Sequence, residues 1–123
     1  MKNNQYSEVF DVTKSDCISA IDSSLPDLLG TYILVKWMEI VSAKNINQQL
    51  DEQHISVGEK ISITHNGMVK KGDSVEVISI IQKQNKRNIS FSIEAKTQGK
   101  TIAKARHDRV IISTKLINRI FNR

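Results

Sequence analysis

The chain has 123 residues, 39% of them hydrophobic and 25% charged, with a net charge of +5 at neutral pH. That length suits one domain spanning residues 1–123 with a real core and leaves no room for two comfortable ones, and no apolar run approaches the roughly 20 residues of a membrane span. Met1 to Gln5 is polar and lacks the apolar segment of a secretory signal, and the single Cys17 has no internal disulfide partner, so a soluble protein of the reducing cytoplasm is expected.

In chain order, Tyr6 to Val12 is rich enough in β-formers for a first strand. A polar stretch follows through Ser24, and Pro26 suits the first turn of a short helical piece. From Thr31 to about Asn45, Ile33, Leu34, Trp37, Ile40 and Val41 recur at helical spacing, and Val35, Met38 and Ala43 continue the apolar surface around the cylinder. Only Lys36, Glu39 and Lys44 are charged there. A helix apolar over most of its circumference is buried on more than one side, which a small protein achieves by wrapping a sheet around it.

The remainder reads as strand. Val57 to His65 alternates, with Val57, Ile61 and Ile63 on one face, and Val75 to Ile81 follows. Ile89, Phe91, Ile93 and Ala95 alternate with Ser90, Ser92 and Glu94, and Thr101 to Ser113 completes the set. Turn clusters at Lys70 to Asp73, Gln84 to Asn88 and Thr97 to Lys100 are short enough for hairpins and an antiparallel meander. Ala103 to Arg109 mixes small and charged residues on both faces, which fits a bulge or a functional edge, and Leu116, Ile117, Ile120 and Phe121 suit one or two helical turns docking on the sheet.

One long apolar helix followed by four antiparallel strands, with a fifth strand ahead of it, is the α+β pattern of the hotdog fold, an antiparallel sheet wrapped around one central helix. Gly30-Thr31-Tyr32-Ile33-Leu34-Val35-Lys36-Trp37-Met38-Glu39 resembles the helix-opening segment of the fluoroacetyl-CoA thioesterase-like family, including the eight-residue step from Thr31 to Glu39. Val57 to His65 is similar to that family's glycine-to-histidine strand, Lys71-Gly72-Asp73-Ser74-Val75 to its next turn and strand entry, and His107-Asp108-Arg109-Val110-Ile111 to its last-strand signature. The resemblance covers residues 25 to 115. It implies hydrolysis of acyl-CoA thioesters at a dimer interface, with coenzyme A as part of the substrate and no separate cofactor, in a homodimer or tetramer. It also implies that Arg109 binds a coenzyme phosphate or stabilises the interface; a structural ion pair is the plain alternative.

The residues themselves can be argued one by one. Such hydrolysis needs a nucleophile, a base to take its proton, and donors for the oxyanion. His65 shares strand parity with Ile61 and Ile63, so it is expected to face the helix, and an ordinary imidazole pKa of about 6.5 suits it as general base. A satisfied core histidine is the alternative. Glu39, one turn from Val35 and Ala43, is either a surface acid paired with Lys36 or, covered by a second subunit, the carboxylate that orients His65 or positions water. Thr31 reads as a helix N-cap, or as a hydroxyl serving as nucleophile or substrate binder beside free backbone N–H groups. Gly58 offers a backbone N–H to the oxyanion or a close approach for the acyl group, unless it only marks a bulge. Eight residues at 1.5 Å rise set Thr31 and Glu39 about 12 Å apart, so either His65 and water span the gap or the site joins Thr31 of one chain to Glu39 of another.

The basic residues Lys83, Lys86 and Arg87 near one turn fit coenzyme phosphates, or simply keep the surface soluble. An aromatic content of 5% without arginine interleaving argues against a nucleic-acid module. His54 and His107 have no partners at metal-ligand spacing, so no metal is expected. Phe10, Phe91 and Phe121 all lie outside the Ile21 to Gly30 approach to the helix, with Tyr32 the nearest aromatic, so a general or short-chain acyl group is expected rather than a fluorinated one. A non-catalytic sensor that binds acyl-CoA or a nucleotide is the remaining alternative.

Overall fold

In the computed structural model, which describes residues 4–122, five strands and two helices follow the order β1 (Gln5–Asp11), α1 (Thr31–Asn47), β2 (His54–His65), β3 (Ser74–Gln84), β4 (Asn88–Thr97), β5 (Lys100–Ser113) and α2 (Thr114–Phe121). The sheet runs β1-β3-β4-β5-β2 and every neighbouring pair is antiparallel. Strand β2 therefore travels from its place after α1 to the far edge of the sheet, and α1 packs across the concavity between β1 and β2. This is the hotdog arrangement expected above.

The core follows from two periodicities meeting. Ile33, Leu34, Trp37, Met38, Val41 and Ile46 of α1 are buried together with Val75 and Val77 of β3 and Ile89, Phe91, Ile93 and Ala95 of β4, which repeat every second residue. Phe10 stacks on Trp37 with ring centroids 4.7 Å apart, closing the β1 end. Three buried polar residues, Ser42, Asn45 and Ser79, share this interior. Ser42 meets Ser79 at 3.2 Å, and the Asn45 amide donates to the Ser79 carbonyl at 3.0 Å, so most of the desolvation cost is met inside. Strands β4 and β5 turn through Gln98 and Gly99, both at positive φ (50° and 78°), the backbone a two-residue hairpin requires.

Three expectations need correction. Pro26 opens no helical piece; the short turns of this region are 3-10, at Lys14–Asp16 and Ile18–Ala20, and Pro26 follows them in irregular chain. Val57 does not share a face with Ile61 and Ile63. Gly58 pairs with Arg109 and Lys60 with Asp108, so Glu59 is an extra residue that bulges β2 and flips the parity of its first half. Ser56 is turned inward in consequence and Val57 outward. The irregularity expected in Ala103 to Arg109 thus belongs to the opposing strand, while Ala103, Ala105, His107 and Arg109 keep strict alternation and are all buried. The tail does form a helix, capped by the Ser113 hydroxyl accepting from Leu116 N–H at 3.1 Å, yet α2 buries no residue and leans over the sheet, leaving Phe121 exposed.

Candidate active site

The entry to α1 is held from several sides. Gly30 is the N-cap, its N–H donating to the Asp16 carbonyl at 3.0 Å, while Leu29 N–H donates to Val69 at 2.7 Å. Asp27 steadies the approach, accepting from Lys14 Nζ at 2.7 Å and the Ser19 hydroxyl at 2.6 Å; these bonds hold its carboxyl below the ordinary value. At the end of β2, Asn66 and Gly67 both donate to the Ile102 carbonyl, fixing the chain directly after His65. These ties bring two distant residues together.

Thr31 is the first residue inside the helix rather than its cap, so its hydroxyl is not spent on the helix backbone. It meets His65 Nδ1 at 2.9 Å instead. The other ring nitrogen, Nε2, is buried and has no hydrogen-bond partner among the described residues. Ile33 and Leu34 N–H groups return to the Gly30 carbonyl, leaving Thr31 and Tyr32 with the unsatisfied donors of the first turn. A concavity of about 290 Å³ opens over this pair, walled by Ile18, Leu28, Leu29 and Met68. A hydroxyl on an imidazole beside free N–H groups and a small aliphatic hollow is equipped to attack a carbonyl and stabilise the charge that develops on its oxygen.

Glu39 and Gly58 meet at a second place on the same helix–strand seam. A Cβ built on Gly58 would fall 2.5 Å from Glu39 Oε1, 3.3 Å from His107 Cε1 and 3.6 Å from Arg109 Nη1. Only a glycine leaves room for the carboxylate there. The Glu39 side chain is 48% exposed and lies 3.8 Å from Arg109 Nη1, which makes Arg109, not Lys36, its closest charged neighbour. Arg109 is only 6% exposed; its Nε donates to the Ser56 hydroxyl at 2.9 Å and its Nη2 to the Ser56 carbonyl at 3.0 Å. His107, at 2% exposure, completes the group through contacts of 3.1 Å to Arg109 Nη1 and 2.8 Å to the Lys60 carbonyl. Burial pushes the His107 imidazole below its ordinary value, and the adjacent guanidinium acts in the same direction. Burial also draws Arg109 down, with Glu39 opposing.

One chain therefore presents two separate clusters, Thr31 with His65 and Glu39 with Gly58 and Arg109. Sequence reasoning missed Ser56 and His107. The signal for His107 was present in the alternation Ala103, Ala105, His107, Arg109, which puts both polar residues on the buried face of a central strand.

The model of the fluoroacetyl-CoA-specific thioesterase, FlK, matches residues 12–115. The chain belongs to that family. It is thereby a thioester hydrolase of hotdog fold. No curated protein sequence matches it. A Thermus thermophilus protein described as a thioesterase superfamily member is 21% identical, with a TM-score of 0.90 over 99% of this chain and 90% of the other. A structure of FlK itself is 19% identical with a TM-score of 0.87, covering 99% and 95%, and a hot-dog-like protein from Thermanaerovibrio acidaminovorans is 20% identical with a TM-score of 0.86, covering 94% and 86%. At these identities the structures speak for the fold.

Of the basic residues, Lys83, Lys86 and Arg87 lie at the β3–β4 turn, at the Gly58 end of the sheet rather than the His65 end. Lys86 and Arg87 border a groove of about 700 Å³ beneath α2, among Val57, Ile111 and Leu116. Among the described residues no helix is long and apolar enough to cross a membrane, and no group of three His, Cys, Asp or Glu is gathered for a metal.

Proposed function

We propose that this chain hydrolyses short-chain acyl-CoA thioesters to the free acid and coenzyme A, at a site shared by the two subunits of a cytoplasmic homodimer. The observation that carries the reading is the Thr31 to His65 contact at 2.9 Å beside a buried ring nitrogen with no partner of its own. Thr31 attacks the thioester carbonyl as its hydroxyl proton passes to His65 Nδ1, and the oxyanion is held by the free N–H groups of the first turn of α1. Collapse expels the coenzyme thiolate, which takes the proton from His65, and water then releases the acid from the Thr31 ester with His65 again as base.

A base that takes a proton at Nδ1 carries its other proton on Nε2, the atom left without an acceptor. Glu39 of the same helix is about 12 Å from Thr31 along the axis. Nε2 is enclosed within its own chain, so a carboxylate from a second copy would act from the open Thr31 side of the pair, positioning the attacking water, and the exposed edge of β2 at the end of the sheet supports such a pairing by adding strand to strand. Two such dimers would give a tetramer. The hollow over Thr31, about 290 Å³ and lined by aliphatic side chains, supports a small acyl group, and none of the three phenylalanines reaches it. A threonine-to-serine mutant of FlK has been crystallised with acetyl-CoA, which supports the same substrate class. The basic turn at Lys83, Lys86 and Arg87 is the proposed phosphate contact.

The test is a thiol-trapping assay over a panel of acyl-CoA esters. Release of free coenzyme that disappears in His65→Ala and Glu39→Ala supports the reading, and an acyl group on Thr31 in rapidly quenched samples supports its role as nucleophile. Tight binding of coenzyme A without turnover would instead make the protein a sensor.

A further inference from the structure

We propose that His107 is a positioning residue of this site: as a neutral ring it holds the Arg109 guanidinium toward Glu39 and straps together the two sides of the β2 bulge that carries Gly58. The inference rests on the thioesterase reading above and assigns a role to a residue outside the proposed reacting groups.

Its two partners fix the state of the ring. The Lys60 carbonyl can only accept, so His107 Nδ1 must carry a proton; the Arg109 guanidinium can only donate, so Nε2 must be bare. No other tautomer makes both bonds. The guanidinium is then anchored three times, by Nε and Nη2 on Ser56 and by Nη1 on His107, and a planar fork held at three points has no freedom to turn. The second N–H of Nη1 remains for Glu39 Oε1 at 3.8 Å. Ser56 precedes the extra residue Glu59 and Lys60 follows it, so the His107 and Arg109 pair grips the bulge on both sides. Gly58 sits inside that grip, its missing Cβ within 3.6 Å of Glu39, His107 and Arg109 alike.

Protonation would turn Nε2 into a donor facing a donor and set a second positive charge against Arg109. The charged groups around the ring are Arg109, Glu39 and Asp108, and Phe91 stacks on it at 6.0 Å. The arrangement is consistent only with an imidazole that stays neutral while Glu39 is in use.

Nitrogen NMR of the full-length wild-type protein reads the ring directly. A neutral His107 protonated on Nδ1 at pH 7 is expected; protonation on Nε2 overturns the proposal. His107→Ala should lower kcat on the best acyl-CoA by about 10- to 100-fold with KM changed less than about threefold, the signature of misplacement rather than lost binding. His107→Gln, whose side-chain oxygen can accept from Arg109, should recover most of that loss. An alanine variant with unchanged kcat, or a folded glutamine variant as impaired as alanine, overturns the positioning role. Should the alanine variant fail to fold, the glutamine variant and the ring nitrogens decide. A wild-type chain inert toward every acyl-CoA refutes the thioesterase reading instead, and the nitrogen spectra then judge the strap alone.

Discussion

Gly58→Ala should separate activity from stability in this protein. The backbone at Gly58 is not in the left-handed region, so alanine meets no conformational strain there, and the loss of a glycine from the unfolded chain favours folding by about 0.4–1 kcal/mol. The new methyl would lie 2.5 Å from Glu39 Oε1, whereas ordinary contact begins near 3.4 Å, so the carboxylate must retreat by about 0.9 Å. Glu39 is half-exposed and flexible and yields at little energetic cost, and the His107 contact at 3.3 Å asks for a shift of only about a tenth of that kind. A displacement near 1 Å in a catalytic carboxylate costs ~10²-fold in rate, about 2.7 kcal/mol of barrier. The backbone N–H of residue 58 is retained, so the loss cannot come from a missing oxyanion donor. The assay is kcat on the preferred acyl-CoA, with a melting curve expected to move by no more than about 5 °C. In the double variant with Glu39→Gln the two losses should not add, since both act through one carboxylate. A Gly58→Ala enzyme with kcat within threefold of wild type, or with fully additive losses, refutes the reasoning.

Thr31→Val keeps the shape and helix position of the side chain but removes the hydroxyl from His65; kcat should fall by at least ~10²-fold while the melting temperature is nearly unchanged, because the hydroxyl caps no backbone group. If each site joins two chains, co-expressing Thr31→Val and Glu39→Gln subunits should create heterodimers with one intact site of two, which once purified show roughly half of wild-type activity; purified heterodimers as inactive as their parents place the site within one chain. His107 sets a pH dependence of stability. Its native pKa is depressed, so the unfolded chain binds the proton more readily; the contribution is full above the unfolded value of about 6.5 and is lost as pH falls through the native one. Urea midpoints measured from pH 8 to pH 5 should fall toward acid, and His107→Gln should flatten that fall.

Much of this architecture is written in periodicity. Ile33, Leu34, Trp37 and Val41 repeat at helical spacing and are all buried, and the alternation of Ile89, Phe91, Ile93 and Ala95 gives β4 its inner face. Thr31 and His65, 34 residues apart, were legible as partners through a resemblance of spacing rather than through any local signal. What periodicity could not supply was the consequence of one added residue. Val57 fits the alternation of Ile61 and Ile63 on paper, but Glu59 shifts the register between them, and only the pairing with Arg109 and Asp108 reveals it. The burial of Ser42 and Asn45 was equally hidden, because their partner, Ser79, comes from a strand more than 30 residues away. His107 looked idle for want of a metal partner; its partners are a carbonyl and a guanidinium, neither of which sequence spacing announces.

The bulge at Glu59 works as a phase change in the reading frame of a strand. Residues before it and after it obey opposite parities, so a one-residue deletion there would not merely shorten β2. It would rotate Ser56 and Val57 through half a turn, send the serine that anchors Arg109 out to solvent and drive a valine in beneath it. Length at this point is therefore held more tightly than identity: many side chains could stand at position 59, but the chain cannot do without a residue there.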